Sequence, residues 1–159
     1  MPSNTPFEVL CADFCAAAHL TTPDMPPDPS GQEGFEATLD GTPMTVLAVT
    51  DAGAEHIHVL MEFGLPARPD ESRTWQALLD ANFAMVSRCG LSFSRNPQTG
   101  RVMLQFQMPM NTTTGAALHQ NCEPLAKLAS KWRRGEIQIG VAGQTPHLDA
   151  AAVKSAAFA

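Results

Sequence analysis

The sequence predicts an α+β domain of order α-β-β-β-α-β-β-α, with helices packed on a twisted antiparallel sheet. Three observations predict it. Apolar residues recur at helical spacing in three stretches and mostly at alternate positions in five others. The strand-like runs come in groups, three and then two, divided by a helix. The links inside each group are short and rich in turn residues, which favours antiparallel pairing. The chain has 159 residues, 44% hydrophobic and 16% charged. That is a globular composition, long enough for one domain with a real core.

Phe7, Leu10, Cys11, Phe14, Cys15 and Ala18 mark the first helix, within residues 5–20. Asn4 or Thr5 suits its N-cap and Pro6 its first position. Four prolines and two glycines make residues 21–34 a loop. Phe35, Ala37 and Leu39 then share one face of a first strand, and Asp40-Gly41 supplies the turn. The second strand, 44–50, is apolar on both faces, so one face exceeds what a one-sided sheet needs for its core. After a turn at Asp51 to Glu55, the third strand sets Ile57, Val59, Met61, Phe63 and Leu65 against His58, Leu60, Glu62 and Gly64.

A second helix over 72–88, capped by Asp70 or Ser72, buries Trp75, Leu78, Leu79, Phe83 and Val86. Asn82 is a polar residue on that apolar stripe. Gly90 ends the helix. Leu91 and Phe93 open the fourth strand, Asn96 to Gly100 turns the chain, and Val102, Leu104, Phe106 and Met108 alternate along the fifth. The last helix, about 113–134, buries Leu118, Cys122, Leu125, Ala129 and Trp132, and Pro124 must kink or restart it. Lys131, Arg133 and Arg134 complement the negative end of its dipole. The domain spans 1–135, and 136–159 reads as a partly ordered or disordered tail rich in Ala and Gly.

The chemistry is sparse. A net charge of −6 gives no footprint for a nucleic acid backbone or an anionic membrane and favours a basic partner. No segment approaches the ~20 apolar residues that span a bilayer, and MPSNTPFEVL lacks the plan of a signal peptide. The expected location is the cytoplasm. The cysteines Cys11, Cys15, Cys89 and Cys122 show no CxxC spacing and read as reduced, mostly buried thiols. His56 and His58 share a strand face, with Glu55 and Glu62 the nearest carboxylates, which falls short of a metal ligand set. No nucleophile motif, phosphate loop or dinucleotide fingerprint occurs. No catalytic residue, metal or cofactor is expected.

The element order, LLDANF at 78–83, the strand pair LSFSRNPQTGRVMLQFQMPM and the closing ALHQNCEPLAKLASKWRRG carry a resemblance. The chain resembles the class I chaperones of bacterial type III secretion systems, the Tir chaperone-like effector chaperones, over roughly residues 5–134. The resemblance implies a homodimer that binds the N-terminal chaperone-binding segment of a secreted effector. It implies masking of that segment and upkeep of export competence, without ATP hydrolysis. It implies a dimer interface on the second helix and the fourth and fifth strands. The residues there are Trp75, Leu79, Asn82, Phe83, Val86, Leu104 and Phe106. Asn82 either pairs across or near the two-fold seam or caps a backbone group within one subunit. The resemblance also points to the first helix and first three strands for the effector, and the apolar pattern there selects Leu10, Phe14, Leu47, Val49 and Leu60. Two other readings stand beside it. One is a general peptide-binding adaptor of the same fold. The other is a histidine-based metal or ligand-binding enzyme, for which His56, His58 and a distant carboxylate must converge.

Overall fold

A computed structural model describes residues 5–25, 31–66 and 71–137. The elements are α1 (Pro6–Ala17), β1 (Gly34–Leu39), β2 (Thr42–Asp51), β3 (Ala54–Gly64), α2 (Glu71–Cys89), β4 (Ser92–Arg95), β5 (Val102–Pro109), a 3-10 turn (Met110–Thr112) and α3 (Gly115–Arg133). This is the predicted order. The strands form one sheet in the order β1-β2-β3-β5-β4, with every neighbouring pair antiparallel.

Local chemistry sets the element ends. Thr5 caps α1: its hydroxyl accepts from the Glu8 amide, while the Glu8 carboxylate accepts from the Thr5 amide at 2.8 Å. That reciprocal capping box satisfies two otherwise orphan donors. The β1–β2 hairpin closes on Asp40 and Gly41, at φ 48° and 69°, and the β2–β3 hairpin on Ala52 and Gly53, at φ 48° and 82°. Two central residues at positive φ match the twist of the flanking strands. Asn96 shapes the β4–β5 turn by accepting from the amides of Gln98 and Thr99 through its side chain.

Alternation gives the sheet two distinct faces. The inner face carries Phe35, Leu39, Met44, Val46, Ile57, Val59, Met61, Phe63, Val102, Leu104 and Phe106, all buried. The buried stripes of α1 and α3 complete this core. The helices approach so closely that a Cβ on Gly115 would lie 2.2 Å from the Phe14 amide nitrogen. At the far end of α3, Arg133 donates to the carbonyls of Glu62 and Gly41 and to the Thr42 hydroxyl. Thr42 in turn donates to the Ala126 carbonyl at 3.0 Å. One guanidinium thus ties α3 to the β1–β2 turn and to β3, a role beyond the dipole complement read from sequence.

Several expectations change. Leu65 does not continue the buried face of β3. The β3–β5 register shifts between Glu62 and Gly64, which breaks the alternation and leaves Leu65 exposed. Pro124 does not restart α3, which runs through it as one helix. Pro124 and Gln120 are both exposed, so the carbonyl that loses its amide partner faces water. Ser72 lies inside α2 rather than at its cap, and Asp70 lies outside the described residues. The tail expected over 136–159 falls, from residue 138 onward, outside the described residues as well.

Candidate functional site

Among the described residues no helix packs over the outer face of the sheet. In register, Glu36 lies opposite Thr45, Thr45 opposite Leu60 and Leu60 opposite Gln105. The next row is Leu47, His58 and Gln107, and the one after it Val49, His56 and Pro109. Leu47 and Leu60 are therefore diagonal neighbours, close enough for aliphatic side chains to share one patch. Met103, opposite Glu62, extends it onto β5. A cleft lined by Glu36, Thr38, Pro43, Thr45, Leu60 and Met103 opens here, and Leu20, Thr21 and Pro23 wall one side. A second cleft, lined by Phe7, Val49, Glu55 and Met110, lies beside the start of α1.

The other apolar surface is on α2. This helix contacts the sheet through β4, and Thr74 and Leu78 are buried residues of it. Leu79, Phe83 and Val86 are 66%, 90% and 56% exposed, and Trp75 is half-buried on the same side. Spacings of four and three residues put these three on one stripe, separate from the buried one. Asn82 turns toward β4. Its amide donates to the Phe93 carbonyl at 2.8 Å, and its carbonyl accepts from the Phe93 amide at 2.6 Å. β4 is an edge strand, and Asn82 stands where a further strand's peptide group would pair.

The predicted site residues therefore separate. Leu47, Val49 and Leu60 share the outer face, with Leu60 in one cleft and Val49 in the other. Leu10 and Phe14 are buried in the core, because the apolar stripe of α1 is spent against the sheet and α3. Phe14 packs on the Phe35 ring and meets His119 edge-on. Leu104 and Phe106 are also core residues, at 1% and 7% exposure, since the parity of β5 turns them inward. Of the α2 residues expected to be buried, Leu78 alone is fully so. Asn82 takes the intrasubunit option and caps Phe93, so its amide is not free for a partner across a seam. Sequence reasoning missed Met103 and Glu36, which line the Leu60 cleft. Their parity on β5 and β1 was the available signal.

The titratable groups take a simple pattern. Cys11, Cys15 and Cys122 are buried, and Cys89 is half-buried with its thiol donating to the Met85 carbonyl. Burial pushes Cys11 up to about 12, aided by its neighbour Cys15, and burial alone pushes Cys122 up to about 12. These thiols stay protonated and unreactive at neutral pH. Among the described residues no group of three or more His, Cys, Asp or Glu is placed to hold a metal. No described helix is long and apolar enough to cross a membrane.

The Tir chaperone protein (CesT) family model matches residues 17–133, most of the chain. The chain belongs to that family. A search of curated proteins returns no match. Among solved structures, the ExsC–ExsE complex contains a chain with TM-score 0.63 and 19% identity, the match covering 84% of this chain and 96% of that one. The HopA1–SchA chaperone–effector complex gives 0.57 and 16%, covering 81% and 94%. The ExoT–SpcS complex from Pseudomonas aeruginosa gives 0.51 and 16%, covering 81% and 98%. At such identities the structural likeness speaks for the Tir chaperone fold alone. Among the described residues the fold has one sheet, two helices on its inner face and α2 at its β4 edge, an arrangement that leaves the outer face and the α2 stripe outside the core of one copy.

Proposed function

We propose that this member of the Tir chaperone family is a cytoplasmic homodimer that binds the N-terminal chaperone-binding segment of a type III secreted effector. It masks the segment's apolar surface and keeps the effector competent for export, with no chemistry and no ATP hydrolysis of its own. Family membership supports the class of function, and a structural neighbour described as a chaperone–effector complex supports the kind of partner. The observation that carries the reading is the pair of apolar surfaces left outside one copy's core. The α2 stripe of Leu79, Phe83 and Val86 suits a second copy, because a two-fold contact brings the same stripe against itself. Trp75 at half-burial joins that contact. The outer face, with Leu47, Val49 and Leu60, suits an extended effector segment that lays alternate side chains on it.

Co-purification from the native host tests the reading. A secreted protein retained through its N-terminal segment, by a chain with twice the monomer mass, is the expected result. A monomer that retains no polypeptide contradicts it.

A further inference from the structure

We infer that the Leu60 cleft selects a segment whose aliphatic side chains are flanked by lysine or arginine, with Glu36 as the selecting carboxylate. The inference rests on the effector-binding reading and adds the chemistry of the guest. The apolar part of the cleft lining includes Leu60, Met103, Pro43 and Leu20, beside Thr38, Thr45 and Asn96. That apolar part alone accepts any aliphatic side chain and discriminates little. Two carboxylates, Glu36 and Glu62, also line the cleft, and they differ. Glu62 accepts a charge-assisted hydrogen bond from Arg101 and is already neutralised. Glu36 is exposed and makes no ion pair or hydrogen bond with any described residue.

The register fixes the geometry. Glu36 stands two strands from Leu60, across Thr45, in a single row of the outer face. At about 4.8 Å per strand the separation is roughly 10 Å, within reach of a lysine or arginine flanking an aliphatic anchor. Strand parity gives the outer face three carboxylates, Glu36, Asp51 and Glu62, and one guanidinium, Arg101, stands beside Glu62. The whole chain carries −6, so the long-range field has the same sign as the local one. A basic flank is attracted both in solution and at the site, and an acidic flank is repelled at both stages.

The test uses the full chain and two synthetic peptides with the same leucines, one flanked by lysines and the other by glutamates. Binding is read by fluorescence anisotropy. At low salt the lysine peptide is expected to bind about tenfold more tightly, the size of an exposed attraction exchanged for a repulsion. High salt should shrink the advantage. Glu36→Lys should remove most of it and Glu36→Gln about half; both substitutions fall at an exposed site that leaves the core intact. Leu60→Asp should weaken both peptides. Equal affinities, a glutamate preference, no binding of either peptide, or an undiminished lysine preference in Glu36→Lys would each overturn the inference. Equal affinities that both fall in Leu60→Asp would overturn selection by Glu36 while leaving the effector-binding reading in place. Two peptides held undiminished by Leu60→Asp would remove this face from that reading too.

Discussion

Asn82 shows how one side chain closes an edge. Both ends of its amide pair with the Phe93 backbone, at 2.8 and 2.6 Å, so this part of β4 behaves as though another strand lay beside it. Asn82→Ala would leave both Phe93 groups without that partner. It should cost about 1–3 kcal/mol in urea unfolding, with the midpoint moving and the slope unchanged. Gly115 is a steric counterpart. A Cβ there meets α1 backbone rather than a flexible side-chain end, so Gly115→Ala should destabilise by about 3 kcal/mol or more, or prevent folding. The buried thiols make a pH statement. Cys122 has an ordinary value of 9.0 and is held up to about 12 by burial, so the folded chain keeps its proton after the unfolded chain has lost it. Its contribution is intact below pH 9 and is lost as pH rises toward 12, at about 1.4 kcal/mol per pH unit. Cys122→Ala should flatten that part of the pH–stability curve. Local signals such as Thr5, Asp40-Gly41 and Gly90 were legible in the sequence because their partners are neighbours in the chain. The partners of Arg133 are 71 to 92 residues away and those of Gly115 lie on another helix, so no local pattern announces them.

At the scale of elements, α2 carries the main ambiguity. Its sequence shows one broad apolar arc, and periodicity identifies a helix from it. Periodicity does not separate the stripe that meets β4 from the stripe left exposed among the described residues. Leu78 and Leu79 are adjacent and about 100° apart on the helix, and they fall on opposite sides of that division. The same limit applies to α1, where Leu10 and Phe14, expected at the effector site, are consumed by the subunit's own core. On β5, strict alternation decides that Leu104 and Phe106 serve the subunit itself. Because Leu79 and Phe83 are exposed in one copy, Leu79→Asp and Phe83→Asp should leave monomer stability within about 0.5 kcal/mol of wild type. Each should weaken self-association by about 1–3 kcal/mol, read by sedimentation equilibrium across a dilution series. Dimerisation unaffected by both changes would move the subunit contact away from α2.

At the scale of the molecule, the fold divides its apolar residues among three tasks. The inner face of the sheet with α1 and α3 makes the core, and in the proposed function the α2 stripe meets a second copy and the outer face a guest. The division between core and remainder follows from alternation on the strands, which is why the sheet was readable and Leu47, Val49 and Leu60 fell together. The proposed guest is legible only through the family, since binding an extended segment on a flat face needs no motif. The most direct measurement is to isolate the chain with its partner from the native host, digest the complex lightly and identify the protected peptide by mass spectrometry. One protected stretch is expected in the N-terminal part of a secreted protein, lost when Leu47→Asp and Leu60→Asp are combined in a chain that still folds and dimerises. No protected stretch, or the same stretch held equally well by the double variant, would contradict it.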